Sequence, residues 1–143
     1  MFKDYLQLVR IPGIFTVLSN VLIGYFFSFS ETQVLSFPFL LITSGMLFCS
    51  GMIFNDYFDL QIDKKERPDR PLPSKKISKQ NAFLLGVIFL ILANFFAFIV
   101  GYPSLIISLI MTTLIIVYNY KLKFISFLGI FNLSFIRFLN VLL

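Results

Sequence analysis

The sequence predicts an all-α protein, a polytopic bundle of transmembrane helices. Three observations carry that expectation. Hydrophobic residues make up 58% of the 143-residue chain and charged residues only 13%, where soluble domains carry about 25%; the mean hydropathy is +0.90. The apolar residues fall into runs of about 20, long enough to cross about 30 Å of hydrocarbon as helix. The charges, finally, are gathered rather than scattered. Asp56, Asp59, Asp63, Glu66 and Asp69 are five of the seven acidic residues, and seven of the twelve basic residues lie between Lys64 and Lys79.

Taken in order, the chain reads as about five spans. The stretch MFKDYLQLVRIPG lacks a signal-peptide cleavage pattern and is the approach to span one, about 11–29, with Pro12 acceptable in its first turn. Arg10 sits at the inner end, either snorkelling as an anchor or drawing in an anion. Asn20 is polar at depth, suited to a helix–helix hydrogen bond or to a substrate contact. Span two covers about 34–54 and carries Ser44, Gly45, Ser50 and Gly51, small enough for close helix packing. A charged loop runs to about Lys79, span three from Gln80 to Gly101, and span four from the turn Gly101-Tyr102-Pro103 to about Tyr120. Span five begins at Phe124 and is still apolar at Leu143. Arg137 lies inside it, where a charge costs about 2.5–3.5 kcal/mol on insertion scales, so it is expected to face the bundle interior or an aqueous cavity. Asn132 and Asn140 share its side of the helix, and a buried hydrogen-bond cluster would account for the trio as well as a functional site would.

Composition also excludes function classes. There is no histidine, which removes the usual general base, the commonest metal ligand and any Ser–His or Cys–His nucleophile pair. Cys49 is the single cysteine and can form no internal disulfide. The net charge of +5 suits a basic membrane–water face handling anionic substrates better than nucleic acid, because the basic residues lie between spans. Lys3, Arg10, the seven basic loop residues, Lys121 and Lys123 all fall on one side of the membrane, and none falls near Glu31 and Tyr102 on the other. The positive-inside rule therefore places the N-terminus and the charged loop in the cytoplasm of a multi-pass cell-membrane protein.

The chemistry concentrates in NDYFDLQIDKKERPDRPLPSKKIS, from Asn55 to Ser78. On a helix, Asn55, Asp59 and Asp63 stand at i, i+4 and i+8, a stripe drifting about 40° per step. Hard oxygen ligands suit Mg²⁺, which takes one or two carboxylates and leaves its other positions to water and phosphate oxygens. Lys64, Lys65, Arg67 and Arg70 follow, and Pro68, Pro71 and Pro73 end the helix. A lone DxxxD is more often a solvated loop of mixed charge; here the whole string carries the signal.

The pattern NDxxDxxxD followed by RPxRPLPS resembles the first aspartate-rich motif of the UbiA prenyltransferase superfamily, intramembrane enzymes that move isoprenoid chains from diphosphates to acceptors. The resemblance implies that Asp59 and Asp63 are catalytic and that Asn55, Asp56, Asp59 and Asp63 hold Mg²⁺ on a prenyl diphosphate. Arg67, Arg70 and Lys121 would bind the diphosphate, with Lys123 ranked behind Lys121. Asn20, Arg137 and Asn140 would line the cavity. The partners implied are a prenyl diphosphate, an unidentified small aromatic or lipid acceptor, and membrane lipid. The loop looks more like that of the lipid-ether members than of the haem branch. Lys75 stands where many relatives carry Gly, in PSG. Because the family uses two aspartate-rich motifs and one occurs here, residues 1–143 are expected to form a single domain, the N-terminal half of a larger bundle, inactive alone. CDP-alcohol phosphotransferases require a DG followed by an AR pair, and neither is present. An ion-coupled transporter or channel would place its acids within the spans, and a non-catalytic truncated homologue is the other alternative.

Overall fold

A computed structural model describes residues 2–27 and 36–143, and these are helical throughout apart from the connections. The order is α1 (Phe2–Leu8), α2 (Ile11–Phe27), α3 (Phe37–Phe58), α4 (Leu60–Glu66), α5 (Lys79–Val100), α6 (Tyr102–Tyr120), a 3₁₀ turn (Leu122–Phe124) and α7 (Ser126–Leu142). Helices α3, α5 and α6 are long and apolar enough to cross a membrane, and α1 with α2 qualifies as one further span bent by 50°. Helix α7 is apolar over 17 residues, about 25 Å of rise. The end of span one and the start of span two, residues 28–35 with Glu31, lie outside the described residues.

Helix α3 is the centre of the bundle, against α2, α5 and α6. Hydrophobic burial cannot drive association within lipid, so close backbone approach and hydrogen bonds between helices take its place. Helix α5 turns Ala82, Ala93 and Ala97 toward the interior, all fully buried. Across that seam the Ser50 hydroxyl donates to the Gly86 carbonyl at 3.0 Å and the Thr43 hydroxyl to the Ala93 carbonyl at 3.3 Å. Helix α6 joins through Asn94, which donates to Thr112 Oγ1 at 3.0 Å and accepts from Ser108 Oγ at 3.0 Å. Helices α2 and α7 meet so closely that a Cβ on Gly24 would strike the Val141 carbonyl oxygen. The outward faces carry Phe15, Phe26, Phe95, Phe98, Phe127 and Phe131, all exposed, as lipid-facing surface requires. The protein is an integral membrane protein.

The connections follow their local chemistry. Gly101, at φ +150°, makes the sharp turn between α5 and α6, with Pro103 in the first turn of α6. Ser78 caps α5 by accepting from the Asn81 amide at 3.1 Å. The proline-rich loop is folded, not splayed: the Ile77 amide donates to the Pro71 carbonyl and the Ser74 hydroxyl to the Arg70 carbonyl, at 3.1 and 2.7 Å. Its apolar residues Leu72 and Ile77 are buried with Leu8 of α1, Ile53 of α3 and Ala82 of α5. The loop is thereby pinned to one end of the bundle, which fixes the residues at the end of α3.

Candidate site at the mouth of an intramembrane cavity

Helix α3 ends at Asp59, whose φ of −85° and ψ of 4° fall in the sparsely occupied bridge region before the chain re-enters helix as α4. That break divides the aspartate stripe expected from sequence. Asp56 and Asp63, seven residues apart, are almost fully buried. Both accept from the Arg70 guanidinium, at 3.2 and 2.7 Å. Asp56 also accepts from Arg10 at 2.8 Å. Arg10 itself takes φ 52°, a left-handed conformation at the bend between α1 and α2. Asp59 turns another way and accepts from Lys123, at 2.5 Å. Three carboxylates thus meet three cations, and each acid is neutralised where it stands.

Among the basic residues expected to bind diphosphate, Arg70 is brought into this cluster, whereas Arg67 and Lys121 are exposed and take no part in its ion pairs. Lys121, at φ −144°, ends α6, and the 3₁₀ turn that follows carries Lys123, not Lys121, onto Asp59. Which of these two lysines reaches Asp59 is decided by that turn, which the sequence does not show.

Next to the cluster lies a cavity of about 260 Å³ between α2, α3, α6 and α7. Asn55 stands on its wall, as do Asn20, Arg137 and Asn140. Their roles there differ. Asn140 is buried and used internally: it accepts from the Ser44 hydroxyl at 2.7 Å and donates to the Val17 carbonyl at 2.9 Å. Asn20 and Arg137 make no such bonds among the described residues.

Asn119, also on the wall, was not anticipated. Its amide donates to the carbonyls of Ile115 at 2.9 Å and Gly51 at 3.3 Å, tying α6 to α3 and leaving its Oδ1 without a partner among the described residues. A polar residue between Tyr118 and Tyr120 was the available signal, masked by the expectation of an interfacial tyrosine belt. Asn132 has the same kind of unpartnered, buried Oδ1 but lies away from the cavity.

Whether these residues fit a Mg²⁺ ion turns on the donor set. Among the described residues no three acidic, histidine or cysteine side chains converge as a metal cage. Mg²⁺ needs no such cage, since one or two protein oxygens suffice when phosphate and water supply the rest. Asn55 on the cavity wall and Asp59 one turn on offer such hard oxygens, so the residues present fit the ion in company with a diphosphate.

The arrangement is an ion-paired cluster at the end of α3, adjoining through Asn55 a largely apolar chamber between membrane helices. The UbiA prenyltransferase family matches residues 17–143, and the chain belongs to it. Its relatives include proteins named digeranylgeranylglyceryl phosphate synthase. That of Sulfurisphaera tokodaii is 35% identical over 69% of this chain and 38% of its own length. The Pyrococcus horikoshii protein is 33% identical over 89% of this chain and 46% of its own. A solved structure titled for the same synthase in membranes superposes with a TM-score of 0.93 at 30% identity, covering 99% of this chain and 51% of the other. The chain therefore spans about half the length of the proteins it matches.

Proposed function

We propose that the chain supplies the first aspartate-rich half of an intramembrane prenyltransferase. The reaction is transfer of an isoprenoid chain from a prenyl diphosphate to a lipid or aromatic acceptor, and the names of the relatives favour a lipid. The observation that carries the reading is that Asn55 lines a largely apolar chamber between the helices and stands next in sequence to the ion-paired Asp56 and one turn before the ion-paired Asp59. The diphosphate docks at the mouth and its chain runs into the chamber. Asn55 and Asp59 would hold Mg²⁺, which would supply charge neutralisation to the leaving group. Lys123 and Arg70, the cations paired with these acids, would stabilise the charge that grows as the carbon–oxygen bond breaks and its electron pair leaves with the diphosphate. Apolar walls keep water from the allylic cation. The acceptor's nucleophilic atom then bonds to that carbon and gives up a proton.

The test is product formation by the full-length gene product in membranes, supplied with a prenyl diphosphate and a prenyl-ether glycerol acceptor. Transfer that requires Mg²⁺ and stops on chelation supports the reading; binding of the diphosphate without any transferred product, across lipid and aromatic acceptors, overturns it. The orientation we infer keeps the N-terminus and the loop from Lys64 to Lys79 in the cytoplasm, supported by the one-sided distribution of Lys and Arg. In a Cys49-free background, Ser74→Cys should resist an impermeant thiol reagent applied to intact cells; rapid labelling reverses the topology.

A further inference from the structure

The arginines and the lysine at the end of α3 hold their acids differently. Arg70 spans Asp56 and Asp63, whose side chains are each 4% exposed, and Arg10 takes a further bond to Asp56. Such a buried bridge cannot open without leaving a charge unpaired. Lys123 instead pairs at 2.5 Å with Asp59, the more open acid at 19%. Its ammonium also lies 5.3 Å from the centre of the Phe124 ring, a weaker hold through the ring face. A lysine ammonium is a compact charge on a flexible four-carbon stem, whereas an arginine fork is rigid and planar. The backbones on either side of the pair are fixed. Lys123 lies in the 3₁₀ turn packed on Gly129 of α7, where an added Cβ would come within 3.1 Å of the Leu122 carbonyl oxygen and 3.4 Å of Lys123 Cα. The Asp59 amide donates to the Asn55 carbonyl at 2.9 Å, and the Asp59 carbonyl accepts from the Asp63 amide at 2.8 Å. Side-chain rotation of Lys123 is therefore enough to open the pair. The carboxylate that accepts from this ammonium is also the hard oxygen donor that, with Asn55, suits Mg²⁺. An ion bound there would stand beside the ammonium, and like charges so close repel.

We propose that Lys123 is an exchangeable counter-ion for Asp59. It neutralises the carboxylate until a divalent cation takes it, and the released ammonium then turns to the anion that arrives with the cation. The inference rests on the prenyltransferase reading and adds an order of events to it: Lys123 leaves Asp59 for the diphosphate as the cation is delivered. Arg10 and Arg70 stay on their buried acids throughout. The exchange makes the cation alone a poor ligand and the cation with diphosphate a good one.

The experiment uses the full-length gene product in lipid nanodiscs and reads binding, not turnover. Mn²⁺, a paramagnetic stand-in for Mg²⁺ that also takes oxygen ligands, is titrated alone, and a prenyl thiodiphosphate is titrated in saturating Mn²⁺. Lys123→Met removes the charge and keeps a long side chain. It should tighten Mn²⁺ alone by roughly tenfold and weaken the thiodiphosphate by roughly tenfold. Adding Asp59→Asn to Lys123→Met should erase the gain in Mn²⁺ affinity, because the gain belongs to that carboxylate. Lys123→Arg, whose fork grips a carboxylate at two oxygens, should weaken Mn²⁺ alone; unchanged or tighter binding by this variant overturns the proposal even if the methionine variant does not fold. Weaker or unchanged Mn²⁺ binding by Lys123→Met makes Lys123 a brace for the site and overturns it too. So does a gain that survives Asp59→Asn, or a thiodiphosphate affinity that Lys123→Met leaves intact. If wild type fails to bind the thiodiphosphate, the prenyltransferase reading falls, and the titrations of Mn²⁺ alone still decide whether Lys123 competes for Asp59.

Discussion

The mouth and the chamber solve the problem of polar groups in a membrane in opposite ways. At the mouth every acid of the cluster is matched: Asp56 by Arg10 and Arg70, Asp63 by Arg70, Asp59 by Lys123. These ion pairs join segments distant in sequence, so the charges hold the bend before α2, the end of α3, the loop and the turn before α7 in one arrangement. In the chamber, Ser44 and Asn140 bond to each other and to the backbone, while Asn20 and Arg137 make no side-chain hydrogen bond or ion pair among the described residues. The difference teaches that one motif can be both scaffold and site. Asp56 and Asp63 are buried and grip an arginine; Asp59 is the acid of the set that remains half-buried.

The largest expected effect tests that division. Asp59→Ala and Asp63→Ala should each abolish prenyl transfer in the full-length enzyme, by at least about a hundredfold. Both should also destabilise the fold, Asp59→Ala the more, by about 3 kcal/mol, because it strips the ion-pair partner from Lys123, whose side chain is 9% exposed, whereas Asp63→Ala leaves Arg70 its bond to Asp56. Thermal unfolding of the two variants checks this, and a larger loss of stability for Asp63→Ala would reverse the order. A smaller effect tests the chamber. Asn140→Leu removes the acceptor for Ser44 and the bond to the Val17 carbonyl, at a cost of about 1 kcal/mol for two membrane hydrogen bonds. Unchanged unfolding would deny Asn140 its bracing role. The smallest concerns the loop that supports the mouth. Lys75 occupies a left-handed conformation, φ 60°, at the position where the motif often has Gly. Lys75→Gly should therefore raise stability by about 0.5–1 kcal/mol without altering transfer, and a loss of stability would mean that the lysine contributes more than its backbone strain costs.

Much of this protein was legible in the chain alone. Apolar runs of about 20 residues must cross a bilayer as helix, since lipid offers the backbone no other hydrogen-bond partner; α3, α5 and α6 follow from that, and the Gly101 turn from glycine's freedom at positive φ. The place of the site was legible too, because charge is costly beside a membrane and its crowding between Asp56 and Lys79 needs a reason. What the sequence left open were choices among near neighbours. That Lys123 rather than Lys121 meets Asp59 depends on a 3₁₀ turn after α6. That Asp63 shares Arg70 with Asp56 rather than continuing the stripe of Asp59 depends on the break at Asp59. That Arg10 reaches Asp56, 46 residues away, depends on the bend between α1 and α2. Periodicity along a chain fixes which residues share a helix face, but a rotation of a few tens of degrees at a helix end decides which of two adjacent side chains meets its partner, and that rotation is set by packing between helices.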